Sequence, residues 1–490
     1  MTPTSPRTAN ATIGAIAIVA SLGLSTSLAK SLWTDEAASL YSARLGWGQL
    51  WRQSHFVDRV YLPYYATLHV WLLVNSSVEW ARAPSLVAYA LTVFLVGRLG
   101  YRFRGFWCGL VAAALCASNP LFVEEALNIR PYALTALAAT LSVTFLVGWL
   151  KDEKNWQLWC FAIATVATLV LQLFAVLAPL AALAAVLALR PRLVREHWRR
   201  IVAPVGIVVV TSVAFALYVH GQRDQVSWIH HFTLSTFLLA LYGPTGGNAH
   251  VGRIVYVLVV ACLLVLGLVT ILRTPNPLKA AIVRSDRDPI VVAAAWAVLP
   301  TGALIVASFV SPLYVNRYLT DSAPGLALLV ALVVTASYQL RGGERRHLVS
   351  VGRLALVVVV IVLLIVSTSS SVRYLAENVQ QASARLASDV RSSGVAAFPN
   401  RRIDLEFETY LAAKHVALWP LTAHPRTFNE MDLQTRPPSK TPRNVWLVVD
   451  SSGVNAAKLF IKVLQSDGYK EVGVQSYPGY AGVYIDDYRR

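Results

Sequence analysis

Two adjacent carboxylates are the first residues in this chain that could do chemistry. Asp35 and Glu36 stand in Ser31–Leu40 (SLWTDEAASL), directly after the first apolar run, where a membrane helix meets water. A carboxylate there is half desolvated, which raises its proton affinity and suits it to take a proton from a hydroxyl. The structural alternative is that Asp35 caps a surface helix beginning Glu-Ala-Ala-Ser-Leu-Tyr and does no chemistry. More charge gathers at similar junctions: Asp58 and Arg59, Glu79 and Arg82, Glu124, Glu125 and Arg130, and Arg317 with Asp321.

Four outer segments carrying both signs of charge on one membrane face suggest an interfacial reaction site. A donor held in the bilayer by a lipid tail would meet a water-side acceptor there. If that donor is a polyprenyl phosphate sugar, the leaving phosphate is a weak base and needs no general acid. The site then needs one carboxylate for the acceptor proton and cations for the departing phosphate. A hydrolase would need a carboxyl pair on opposite sides of the bond. In-line attack assisted by one base predicts inversion at the anomeric carbon.

The elements that must position these residues are membrane helices. Of the 490 residues 56% are hydrophobic and 14% charged, where a soluble domain has about a quarter charged. The spacing predicts spans near 11–29, 83–97, 106–122, 131–150, 156–171, 173–189, 201–219, 254–272, 289–309, 322–340 and 354–369, about eleven. Ser27-Leu-Ala29 resembles a signal-peptide cleavage site, yet the run is long and its basic flank is Arg7 alone, so a retained first span is expected. Tyr61–Val74 is too short to cross and is expected to lie on the outer face. The uncharged stretch from Trp156 to Leu189 suits a tight hairpin turning near Gln172. With these choices the inner loops hold 19 Lys and Arg and the outer loops 9, which puts the N-terminus in the cytoplasm and the C-terminus outside a plasma membrane.

The formal charge of +17 invites a nucleic-acid reading, but residues 373–490 hold 15 Lys and Arg against 12 Asp and Glu. The excess lies in membrane loops, where it is a topology signal, so no nucleic-acid partner is expected. Residues 1–371 are read as a transmembrane domain with a first outer loop at 30–82, and 372–490 as an extracytoplasmic soluble α/β domain. In the latter, Arg373–Arg391 and Asn455–Gln465 have helical spacing, Asn444–Val449 (NVWLVV) reads as a buried strand, and Val472–Val474 and Gly482–Ile485 as short strands. Cys108, Cys116, Cys160 and Cys262 all fall in apolar runs, where they behave as small hydrophobes.

Several segments together resemble the type-C glycosyltransferases. Trp33-Thr-Asp-Glu-Ala37 is similar to the acidic motif in their first outer loop, most of all in the branch of protein O-mannosyltransferases, aminoarabinose transferases and bacterial enzymes that use polyprenyl phosphate sugars. Tyr61-Leu-Pro-Tyr-Tyr65 resembles that branch's aromatic, proline-rich segment, with one proline where many members have two. Glu79–Ser85 (EWARAPS), Glu125–Leu134 (EALNIRPYAL) and Tyr314–Leu319 (YVNRYL) follow in the expected order. The resemblance covers residues 11 to about 340 loosely.

It implies Asp35 as general base, with Glu36 its neighbour in acceptor or metal binding. It places Glu125, Arg130 and Tyr132 at the sugar pocket, Arg317 on the donor phosphate beside Tyr318, and Tyr61 and Tyr64 at the substrate. Mannose is the first sugar it suggests and arabinofuranose the second; the acceptor is a glycan, lipid or protein. Some relatives use a divalent metal held partly by histidine. His69, His230, His231 and His250 are present without ligand spacing, so the metal stays unassigned.

Plain structural readings stand beside these. Arg317 pairing with Asp321 one helical turn on is worth roughly a few tenths of a kcal/mol. Glu125 and Arg130 form a simple ion pair across a pre-proline bend. Tyr61, Tyr64, Tyr65, Trp47 and Trp51 belong to an interfacial belt, His230 and His231 to a solvated loop, and Arg190–Arg200 to an anchor on anionic lipid. Two competing functions remain: a transporter or flippase of a lipid-linked saccharide, with polar residues in mid-span, and a scaffold displaying residues 373–490.

Overall fold

Charge-free apolar runs become helices in the computed structural model, because a segment with no water around it must satisfy its backbone internally. The structure describes residues 5–222, 229, 233–240, 243–245, 251–273, 276–340, 362, 379–390, 394–398, 407, 410, 411, 416, 417, 442–450, 454–477 and 483–490. In chain order the helices are α1 (Pro6–Ser25), α2 (Thr34–Arg44), α3 (Trp47–Phe56), α4 (Leu62–Leu72), α5 (Val78–Arg104), α6 (Phe106–Ala117), α7 (Pro120–Ala126), α8 (Tyr132–Asp152) and α9 (Asn155–Leu171). They continue with α10 (Leu177–Leu189), α11 (Pro191–His220), α12 (Leu234–Ala240), α13 (Val251–Arg273), α14 (Asn276–Ser308), α15 (Ala323–Leu340), α16 (Val379–Val390) and α17 (Val454–Ser466). The strands are β1 (Gly394–Ala397), β2 (Asn444–Asp450), β3 (Lys470–Tyr477) and β4 (Val483–Arg489).

Among the described residues seven helices are long and apolar enough to cross a membrane, and the bent pair α6–α7 makes an eighth. Asn155–Leu171 and Leu173–Leu189 are shorter apolar helices. Each of the first ten expected spans falls on one of these; the eleventh, 354–369, lies outside the described residues, as do His230, His231 and His250. The chain breaks at Gln172 as expected, but not into a tight hairpin. Gln172 is extended and its Oε1 accepts from Ala175 N at 2.6 Å. This capping redirects the chain, so α9 packs on α8 and α11 whereas α10 packs on α14.

Contacts divide the chain into two compact units, residues 1–28 with 78–372 and residues 29–77 with 373–490. The first is the helical bundle. Helices α1, α5 and α6 approach closely through glycine: a Cβ on Gly97 would lie 2.5 Å from Ile13 Cγ2 and 2.9 Å from Ala113 Cβ. Small residues at such crossings replace the hydrophobic driving force that lipid removes. Hydroxyls add polar contacts, Ser142 Oγ lying 2.7 Å from Thr165 Oγ1 between α8 and α9.

The second unit contains a four-stranded sheet in the order β1-β2-β4-β3, with β1 parallel to β2 and the other pairs antiparallel. NVWLVV is buried on both faces, as its unbroken apolar run requires. Val445, Leu447 and Val449 pack against Phe460 and Leu464 of α17, while Trp446 and Val448 pack against Val379, Leu386 and Val390 of α16. The loop after residue 28 joins this unit: Tyr410 Oη accepts from Leu32 N at 3.0 Å, and Ser31 Oγ accepts from Gln380 N at 3.4 Å. These two bonds tie the loop after residue 28 to the C-terminal segment.

Two outcomes follow. Gly97→Leu forces a side chain into Ile13 and Ala113 and should lower stability by about 1–3 kcal/mol, read as a fall in the thermal midpoint of the purified chain. On β4, burial and then the Glu471 charge push the Asp486 carboxyl from its ordinary 3.8 up to about 6. The folded state therefore holds that proton more tightly than the unfolded one, and stability is lost as pH rises from about 4 through about 6. Asp486→Asn should slow amide exchange in the sheet at pH 8 and leave it unchanged at pH 4, whereas equal effects at both pH values would contradict this origin.

Candidate functional site

The bundle's charged group is built around the break between α6 and α7, where the helix axis turns by 63°. Pro120 starts α7, and the Asn119 side chain caps it by accepting from Phe122 N at 3.0 Å. Pro at the first helical position after an Asn cap is a stable start. Carbonyls freed by the break still need donors away from water, and neighbouring helices supply them. Tyr89 Oη donates to Ala117 O at 2.6 Å and Tyr256 Oη to Leu115 O at 3.0 Å.

The turn delivers Glu124 and Glu125 to the end of α7, and they part company. Glu124 forms an ion pair with Arg253, whose side chain is nearly buried. Glu125 is 3% exposed and accepts from Asn128 Nδ2 at 3.4 Å. The charges of Arg317 and Arg130 both act on its carboxylate. The loop that follows is pinned by Ser85, whose Oγ donates to Asn128 O at 2.7 Å. Arg130 is buried, with its guanidinium 5.7 Å from the centre of the Tyr132 ring. That ring lies 6.2 Å from Tyr318, which also meets Phe174 at 5.7 Å. Glu125, Arg130, Tyr132, Arg317 and Tyr318 are thus brought together from two stretches of one unit.

Arg317 and Asp321 do not form the ion pair of the plain structural reading. Asn316–Ser322 is a 3₁₀ turn rather than an α-helix, and in that geometry residues three apart eclipse while residues four apart point about 120° away from each other. The Asp321 carboxylate is 2% exposed, and neither of its oxygens takes a hydrogen bond from Arg317. Arg82, expected on the rim, is fully buried and its Nη1 donates to Leu28 O at 2.5 Å.

In the other unit α2 begins at Thr34 with Trp33 at the cap position. Asp35 is therefore inside the first turn and is not the cap. Glu36 is 0% exposed and its Oε2 accepts from Trp33 N at 3.5 Å, so the capping carboxylate is Glu36. Asp35 is half-buried. Tyr64 and Tyr65 are buried instead of lying in a surface belt: Tyr65 Oη donates to Asp58 Oδ2 at 2.8 Å, and Tyr61 and Tyr64 stack about its ring at 6.1 and 6.0 Å. Trp47 and Trp51 are exposed, as a belt requires.

His69 Nδ1 lies 2.8 Å from Ala43 O and its ring meets Trp47 edge-on at 4.5 Å, which occupies it structurally. Among the described residues no three metal-binding side chains converge. Sequence spacing missed Arg253, 129 residues from its partner, and Phe174, which looked like any apolar span residue; neither carried a local signal.

No family model matches the chain, and a search of curated proteins finds no relative. Among solved structures it is similar to ArnT from Cupriavidus metallidurans in the apo state, with a TM-score of 0.59 at 13% identity over 96% of this chain and 97% of that one. The same protein bound to undecaprenyl phosphate matches with a TM-score of 0.57 at 12% identity over the same shares. The oligosaccharyltransferase of Archaeoglobus fulgidus matches at 0.49 and 12% identity, over 96% of this chain and 74% of that one. The chain shares the fold of ArnT, a multi-pass helical membrane domain with a small C-terminal sheet, and the resemblance read from the sequence holds at the level of fold.

Breaking the Glu124–Arg253 pair tests how the site is held. Arg253→Gln leaves a largely buried carboxylate alone and should cost roughly 3–5 kcal/mol, while Glu124→Gln with Arg253→Gln should recover most of it. Thermal unfolding of the three chains reads the difference.

Proposed function

We propose that the chain is an inverting glycosyltransferase that moves one sugar from a polyprenyl phosphate carrier to an acceptor hydroxyl. The observation that carries this is the gathering of two guanidiniums, buried Arg130 and half-buried Arg317, and the buried Glu125 carboxylate near the Tyr132 and Tyr318 rings. Its fold is that of a protein whose structure was solved with undecaprenyl phosphate. Arg317 holds two phosphate oxygens through its planar fork, as a guanidinium does better than an ammonium. Arg130 adds a second positive charge where the leaving group gains negative charge. Glu125, held by the Asn128 amide, faces the sugar.

Asp35 takes the acceptor proton as the acceptor oxygen bonds to the anomeric carbon. The bond from that carbon to the phosphate oxygen breaks, and its electron pair leaves with the phosphate. One displacement inverts the anomeric centre. Mannose is the first sugar to test and arabinofuranose the second, with a glycan, lipid or protein acceptor. The excess of basic residues in alternate loops favours a cytoplasmic N-terminus and an extracytoplasmic C-terminus. A flippase is disfavoured because the described spans carry their ionisable residues near their ends, whereas a polar substrate path needs them in the middle.

Membranes containing the chain, incubated with a panel of radiolabelled polyprenyl phosphate sugars with and without chelator, should transfer label from one donor. Asp35→Asn should fold and bind donor yet lose about 10²–10⁴-fold in turnover. Retention of most of the rate would reject Asp35 as the base.

A further inference from the structure

The far end of the same bundle contains a second charged feature. A cavity of about 660 Å³ opens among Pro6 and Asn10 of α1, Leu95, Arg98 and Arg102 of α5, and Lys151 of α8. That volume is in the range of small-ligand sites. Helix α8 runs from Tyr132, beside Arg130, to Asp152 over 21 residues, so its two ends are about 30 Å apart, the thickness of a bilayer's hydrocarbon core. The cavity and the Glu125 group thus sit at opposite membrane faces.

Its charges are unbalanced. Three cations and one carboxylate, Asp152, line it. Asp152 Oδ2 already accepts from Gln157 Nε2 at 3.2 Å. Among the described residues none of Arg98, Arg102 and Lys151 forms an ion pair; Arg98 has its guanidinium 5.9 Å from the Phe94 ring instead. Arg98 and Arg102 are one helical turn apart, a spacing at which like charges repel, and Lys151 adds a third from another helix. An apolar track leads away from them along α5. Val87 and Leu91 are 55% and 46% exposed and share the face of Leu95 at four-residue steps.

We propose that this cavity binds one anionic phospholipid, its phosphate held by Arg98, Arg102 and Lys151 and an acyl chain lying along Leu95, Leu91 and Val87. The cations neutralise the headgroup at the membrane surface, and the leucine track takes what the headgroup is attached to. A neutral lipid lacks the charge, and free phosphate lacks the tail.

The purified full chain in neutral detergent, mixed with phosphatidylglycerol, phosphatidylcholine or inorganic phosphate, tests this by native mass spectrometry. Wild type should retain one phosphatidylglycerol and neither of the other two. Arg102→Gln with Lys151→Gln should bind it roughly thirty-fold more weakly, taking about 1 kcal/mol for each cation near the surface. Should that double variant fail to fold, Asp152→Asn decides: tighter binding supports the site and unchanged binding overturns it. Equal retention of phosphatidylcholine, retention of inorganic phosphate alone, or a double variant that holds phosphatidylglycerol like wild type also overturns it.

Discussion

A charge placed among packed membrane helices has no water to stabilise it, so the fold itself must neutralise it. That constraint organises one end of the bundle. Glu124 is answered by an ion pair with Arg253, Glu125 by a hydrogen bond from Asn128, and the Arg82 guanidinium by the Leu28 carbonyl. These bonds tie α7 to α13 and to the loop that follows it, and α5 to the turn after α1. The 63° bend after α6 exists under the same rule, since its freed carbonyls are taken by Tyr89 and Tyr256. A region rich in buried polar groups and rigidly held is suited to receive a phosphate whose charge changes during reaction.

The second unit is held by ordinary soluble-protein physics. A sheet buried on both faces by α16 and α17 carries the loop of residues 29–77 through bonds to Tyr410 and Gln380. Gly394 shows how tight the pairing is, because a Cβ there would meet the Trp446 ring and Asn444 O. The acidic pair on that loop divides its work. Glu36 is spent on capping α2, and Asp35 remains half-buried in the first turn.

Much of this was legible in the sequence wherever periodicity or a run carries the information. Apolar runs place the helices, NVWLVV reads as the doubly buried strand, and EALNIRPYAL and YVNRYL carry Glu125, Arg130, Tyr132, Arg317 and Tyr318, which the fold brings near one another. What failed depended on geometry that spacing does not encode. Arg317 and Asp321 look like an α-helical pair, but the backbone is 3₁₀ and turns them apart. Asp35 looks like a cap because an acid before Glu-Ala-Ala is a common cap, yet the helix starts two residues earlier, at Thr34. Tyr64 and Tyr65 have the composition of an interfacial belt, but Asp58 and neighbouring rings draw them inward. The Glu124–Arg253 pair spans 129 residues and leaves no local trace.

The central claim is that the guanidiniums beside Glu125 hold a lipid-linked phosphate. Binding of sugar-free undecaprenyl phosphate to the purified full chain tests it without requiring the sugar or the acceptor to be known. Wild type should bind one molecule, Arg317→Gln should bind about tenfold or more weakly through loss of a charged hydrogen bond, and a chain altered only at Arg102 and Lys151 should bind as wild type does. An Arg317→Gln chain that binds undecaprenyl phosphate as tightly as wild type would contradict the account.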